Sequence, residues 1–371
     1  MKKILKIITI ALLSLACLVT AVACSSNDDD ASEKGLLCKE IGGVYTIYDY
    51  VDEDQPKTVL DLGEELGDQV SDVRIKKDAF YGNATIKEII VPASVTAIDE
   101  GAFAGMKALE EITLPFVGAT VDAVENARTF GYLFGTSEYD GGSLVNTTYS
   151  ASGTEARYMP STLRTVVINA GADYKVPMYA FSGCVNLTTV TLEGEIAEIG
   201  EYAFSNCKNL SSTNVPATVV KINKGAYSGC TALNTAFANG LSTVAEIGES
   251  AFEGAKLNDV VLASGVKIGN KAFYNSTVKQ ITLKGEVEIG ASAFANCVKL
   301  TTVNLDGVSN GIIRQFAFQG AVKLNQVGNL EGVINLINFT VENLAFADIF
   351  EDSSKIIYHT TQNADVIFGW N

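Results

Sequence analysis

The sequence predicts a mainly β solenoid of roughly ten or eleven coils, with stacked parallel short strands and little helix. Three observations carry that expectation. An Ala-Phe pair returns along the chain as Ala79-Phe80, Ala102-Phe103, Ala180-Phe181, Ala203-Phe204, Ala226-Tyr227, Ala251-Phe252, Ala272-Phe273, Ala293-Phe294, Ala317-Phe318 and Ala345-Phe346. Apart from one large gap, successive aromatics lie 21 to 28 residues apart. A unit that short cannot bury its apolar side except against its neighbours. An L-x-x-I-x-L phrase recurs with it, as Leu109-Ile112-Leu114, Leu187-Val190-Leu192, Leu257-Val260-Leu262, Val278-Ile281-Leu283 and Leu300-Val303-Leu305. Its last three residues alternate in, out, in, as a strand should. No stretch of the presumed array keeps a long 3.6-residue apolar period, so helix is scarce.

In chain order, residues 1–23 form a secretory signal: Met1, Lys2, Lys3 and Lys6 give a basic start, Ile7 to Val22 an apolar run, and Ala21-Val22-Ala23 a small-residue cut site. Cys24, followed by Ser25-Ser26-Asn27-Asp28-Asp29-Asp30, is the expected lipidation site, which makes residues 24–38 a lipidated acidic tether. Ala21 stands where a lipobox usually has Leu, so cleavage by ordinary signal peptidase and release of a secreted protein is the alternative. Residues 39–72 lack the repeat and are expected to cap the first coil, with Leu60-Asp61-Leu62 a candidate first strand. The acids Asp49, Asp52, Glu53 and Asp54 in that cap match no calcium-loop spacing and are expected to be a solvated turn.

The array is expected over residues 73–355. In the specimen coil Val95 to Leu114, a second phrase Val95-x-x-Ile98 leads into Ala102-Phe103; the Ala is small because the chain turns over the core, and the Phe fills the interior and stacks on the same Phe one coil away. Residues 116–160 are an insertion, with a polar, loop-like part over 136–157. Its Phe130, Tyr132, Leu133 and Phe134 either roof a widened coil or face a ligand. Residues 356–371 are expected to form the C-terminal cap.

Together these elements give L-x-x-I-x-L-P-x-x-V-x-x-I-G-x-x-A-F-x-x-C. That pattern resembles the BspA-type leucine-rich repeat over essentially Val73 to Phe346. The A-F-x-x-C element separates it from other leucine-rich repeats, and the insertion also looks like one common in that family. Tyr227 in place of Phe, and Thr213 and Ala236 in two strand phrases, depart from the pattern. The resemblance implies cell-surface adhesion and partner binding.

Composition narrows the function classes. The formal charge of −16 falls by three, to about −19, when Lys2, Lys3 and Lys6 leave with the signal. So acidic a surface repels nucleic-acid backbones and anionic headgroups, so contact with a membrane is expected through the lipid anchor only. Cys184, Cys207 and Cys230 lie 23 apart, and Cys297 shares their offset from the Phe. An inward column of free thiols is expected, with Gly82, Gly105, Gly254 and Asn275 taken as the same position in other coils. His359 is the one histidine and lies in the terminal cap, so no Ser-His-Asp or Cys-His set assembles elsewhere. No cofactor, metal or catalytic activity is expected.

Outward strand positions Thr113, Val167, Thr191, Asn214, Val261, Thr282 and Asn304 offer an uncharged hydroxyl and amide surface. The expected function is a non-catalytic outer-membrane lipoprotein, facing the cell exterior, whose sheet face and inserted loop bind a host or neighbouring-cell surface protein. The alternative is a glycan-binding surface lipoprotein, with Tyr132, Phe134 and Tyr139 as stacking platforms.

Overall fold

A computed structural model describes residues 34–371 except 68–69, 234–236, 239, 309, 329–332, 338, 350–356, 363 and 370–371. The signal, Cys24 and the acidic run after it lie outside the described residues. The chain is mainly β and winds through about 11 turns; short α-helices at Leu62–Leu66 and Ala364–Phe368 are found among the described residues.

Each turn lays down two strand positions and one corner. The L-x-x-I-x-L phrase forms the first, face A: Val59–Asp61, Glu88–Ile90, Glu111–Leu114 and the starts of the long strands Thr165–Val176 and Thr189–Ile199 pair in parallel, then Ser212–Thr213. The V-x-x-I phrase forms the second, face B, which includes Lys221–Ile222, Glu246–Ile247, Lys267–Ile268, Val287–Ile289, Gly311–Ile313 and Phe339–Val341. Face B coils approach so closely that a Cβ on Gly290 would lie 2.5 Å from the carbonyl carbon of Gly269. Glycine there is steric necessity.

The corner is the third ladder. The residue before Ala and the residue two after Phe both sit in the left-handed region in every coil carrying the Ala-Phe pair, with φ between 53 and 77°. These two reversals turn the Phe N–H toward the next coil, where it donates to the Ala carbonyl at 2.7–3.0 Å from Phe80 and from Phe181 through Phe318. The rings follow. From Phe181 to Phe346 consecutive aromatics stack at 4.9–5.6 Å and 6–23°, all fully buried.

The insertion keeps this column unbroken. A 3-10 segment, Phe130–Phe134, supplies two rings, so that Phe103, Phe134, Phe130 and Phe181 succeed one another at 6.4, 5.2 and 5.2 Å. Phe103 N donates to Leu133 O and Phe130 N to Ala180 O, so one segment does the work of two corners. The stretch expected to be loop is instead mostly an antiparallel hairpin, Gly142–Thr148 with Thr154–Pro160. Its inward positions include Thr147 and the fully buried Arg157, polar residues that hid the alternation.

The ends also differ from expectation. A hairpin, Gly35–Ile41 with Val44–Val51, covers the first coil and starts inside the segment assigned to the tether. Val59–Asp61 already pairs with Glu88–Ile90, so the array begins before Val73. At the other end Ile357–His359 continues face A beside Val333–Asn335, and Phe368 from the terminal helix lies 5.7 Å from Phe346.

The four repeat-position cysteines are buried and free. Cys207, Cys230 and Cys297 each donate a thiol hydrogen bond, at 3.0–3.1 Å, to the carbonyl of the Phe one coil back. Their register needs one correction. Gly82, Gly105, Gly254 and Asn275 occupy the left-handed turn one residue earlier, and the true equivalents are Asn83, Met106, Ala255 and Ser276. Cys38, in the N-terminal hairpin, is buried.

Burial pushes the Cys207 thiol up to about 12 and Cys297 to about 11. Below the ordinary thiol range near ~8.5 both folded and unfolded chains hold these protons; above it the unfolded chain releases them first. Stability should therefore be fully present below about pH 8 and fall as pH rises toward these raised values. All four thiols should resist alkylation at pH 8 and react on denaturation; stoichiometric labelling of any one in the folded protein would contradict the buried column.

Candidate interaction surface

The two strand faces spend their outward side chains differently. On face B the residue preceding each inward aliphatic alternates in sign: Lys175, Glu198, Lys221, Glu246, Lys267 and Glu288 are cross-strand neighbours in register. Lys175 meets Glu198 at 2.7 Å, Lys221 meets Glu246 at 3.0 Å, and Arg314 joins Glu288 at 2.6 Å and Glu342 at 3.0 Å. The hydrogen bond from Lys175 holds the Glu198 carboxyl below the usual range. Opposite charges across strands favour this register and like charges oppose a slip by one coil. Face B carries a shallow groove of its own, of about 290 Å³ and lined by Glu246, Lys267, Glu288 and Arg314 among others, but apart from Lys267, which makes no ion pair among the described residues, its charge column is paired.

Face A is not. In its N-terminal part Glu88, Glu111, Thr165, Thr189 and Ser212 form one outward column, and Thr113, Val167 and Thr191 form the next. The hydroxyls of Thr113, Thr165, Thr189 and Thr191 make no side-chain hydrogen bond among the described residues. A shallow groove of about 500 Å³ crosses the start of these strands, lined by Val59, Lys87, Glu88, Glu111, Arg164 and Thr165 among others. Burial, and then the facing Glu88, raise the Glu111 carboxyl above its ordinary range. These hydroxyls and this groove are unspent.

The outward residues singled out in the sequence fall into two groups. Thr191 stands with Thr113 and Val167; Thr282 stands with Val261 and Asn304, whose amide lies 3.4 Å from the Thr282 hydroxyl. Among the described residues no strand joins Ser212–Thr213 to Asp259–Ser264; the coil between them carries Phe237, wedged edge-on against Tyr227 and Phe252, and the 3-10 turn Gly240–Thr243. The continuous surface expected from the sequence is therefore two sheets. Ala236, in the weakened phrase, lies outside the described residues.

Asn214 changes role. Its Oδ1 accepts from Leu192 N and its Nδ2 donates to Leu192 O, both at 2.8 Å, so the amide continues along Thr189–Ile199 the pairing that Ser212–Thr213 begins.

The inserted aromatics do not join face A. Phe134 is fully buried in the ring column and is unavailable as a platform. Tyr132 is half-buried at the Ala102-Phe103 corner, where its carbonyl accepts from Gly101 N, and Arg157 lies 5.7 Å from its ring centroid. Arg157 is held by Glu100 and, at 2.5 Å, by Glu155, which latches the hairpin to the coil below. Tyr139 has its hydroxyl buried without a partner among the described residues, and burial raises its pKa. Among the described residues no group of three or more His, Cys, Asp or Glu is placed to hold a metal.

The chain matches the family described as BspA type leucine rich repeat region, in six copies over residues 73–124, 155–277 and 245–359. Those matches cover more than half of the sequence, and the protein belongs to that family. A leucine-rich repeat protein from Bacteroides ovatus is similar at 20% identity, over 87% of this chain and 80% of that one, with a TM-score of 0.43. A leucine rich cell surface protein from Faecalibacterium prausnitzii aligns at 15% identity over 93% of this chain and 99% of that one, TM-score 0.28. The Leucine Rich Repeat protein of T. pallidum aligns at 17% identity over 80% and 91%, TM-score 0.27. No curated protein matches the chain.

Proposed function

We propose that this protein is a non-catalytic surface scaffold that binds another protein through face A. The observation that carries the reading is the contrast between the faces. Face B pairs most of its charges in register, whereas the N-terminal part of face A leaves a column of unbonded hydroxyls, the larger of the two grooves and the Glu88–Glu111 pair unspent. Hydroxyls and amides on a rigid sheet hydrogen-bond an extended chain at little ordering cost. The family's repeat architecture supports the same class of role, since stacked coils present long, preformed surfaces.

The full chain, used to capture surface and matrix proteins, should retain a partner. Thr191→Arg should weaken that partner at least tenfold, a change worth about 1.4 kcal/mol. Lys221→Ala, on face B, should leave it unchanged. Equal loss in both variants would remove face A from the account. A glycan-array signal abolished by Tyr132→Ala, with no protein partner retained, would instead establish the carbohydrate reading.

We further propose that Cys24 carries the lipid that holds the protein on the outer membrane, facing the exterior. The small-small-Cys cut site and the acidic residues after it support this reading. A fatty-acid probe should label the mature protein, and Cys24→Ser should abolish the label. A thioether sulfur cannot also form a disulfide, so finding Cys24 disulfide-linked in the mature chain, or an unlabelled protein in the medium, would remove the anchor.

A further inference from the structure

Face B ends on a side chain. In each of its last coils the residue after the strand donates its N–H to the preceding coil: Gly290 to Ile268 O at 2.8 Å, Arg314 to Ile289 O at 3.0 Å, and Glu342 to Ile313 O at 2.8 Å. Val341 takes the place of Ile313 in the final strand, Phe339–Val341, the terminal strand of its sheet. There Gln362 completes the pattern. Its Oε1 accepts from Val341 N at 3.0 Å and its Nε2 donates to Val341 O at 3.2 Å. In a parallel ladder a bonded residue turns both its N–H and its C=O to the same neighbour. A carboxamide carries one acceptor and two donors on a single carbon, so it can replace one residue of a missing strand. The turn holds it in place, since Gln362 N donates to Thr360 Oγ1 at 3.0 Å. Asn214 makes the same pair of bonds to Leu192, carrying the ladder one step past the short strand Ser212–Thr213. The same amide device thus occurs twice in the chain.

We propose that Gln362 is an edge plug, which keeps the C-terminal end of face B from pairing with a second copy of this chain. An open parallel edge is a template for another strand. The N-terminal end of face B finishes instead in the antiparallel strand Gly35–Ile41, so the two ends of the face are not alike. The partner edge in this proposal is the same Phe339–Val341 strand of a second copy, and two such edges meet as a closed two-fold dimer. Gln362 itself is exposed, so the bonds it makes close the edge rather than fill the core.

The test uses the purified full chain, with mass followed against concentration and amide exchange read at Val341 and Ile313. The wild-type chain should stay monomeric with a protected Val341 amide. Gln362→Leu removes both bonds: in dilute solution Val341 should exchange at least tenfold faster while Ile313 is unchanged, and at high concentration the mass should double. Gln362→Glu keeps the acceptor for Val341 N, adds a charge, and should remain monomeric. A Gln362→Leu chain that stays monomeric, or whose Val341 amide exchanges as in the wild type, overturns the proposal. So does a wild-type chain that dimerises over the same range, or a Gln362→Glu chain that dimerises as readily as Gln362→Leu.

Discussion

The hydrogen bond from the corner Phe N–H to a carbonyl of the next coil, that of Ala at every corner outside the insertion and the C-terminal end, sets the geometry on which the rest depends. Two left-handed residues aim that N–H along the solenoid axis, and the attached ring is carried inward and stacked on its neighbour. With the corner fixed, both strand phrases leave it in the same direction in every coil, so faces A and B fall into register without any long-range pairing choice. The thiols extend the same logic, because Cys207, Cys230 and Cys297 reach back to the carbonyl of the Phe one coil before.

That dependence explains which features were legible in the sequence. The Ala-Phe interval and the two aliphatic phrases show the solenoid because inward positions must be apolar in every coil. The face B charge column was equally present, at the residue before each inward aliphatic from Lys175 to Glu288, but it appears only when coils are laid side by side. The insertion hairpin was not legible, since Thr147 and Arg157 fill inward positions where alternation would call for apolar side chains. Reading Gly82 as the counterpart of Cys184 missed by one residue, because the left-handed turn and the buried position after it are adjacent in the chain.

The candidate surface was legible in part. Thr113, Val167 and Thr191 do line up in register, as the pattern required. Asn214 looked like a displayed amide and is instead bonded to backbone; nothing in its spacing separates the two roles, because the difference lies in whether the next strand continues. Phe134 looked like a platform because the insertion breaks the repeat, yet the ring column passes straight through it. Rings in this chain answer first to the column. The positions that neither the column nor face B consumes include the outward hydroxyls on the N-terminal part of face A.

Amide exchange in Phe204→Ala tests the corner account most directly. Phe204 is fully buried, 5.1 Å from Phe181 and 4.9 Å from Tyr227. Removing the ring should cost ~3–5 kcal/mol. Because coils touch only their neighbours, protection should fall at the Phe181, Phe204 and Tyr227 corners and persist near Phe294 and Phe318. Wild-type protection throughout, with an unchanged melting profile, would show that the ring column does not hold the coils together.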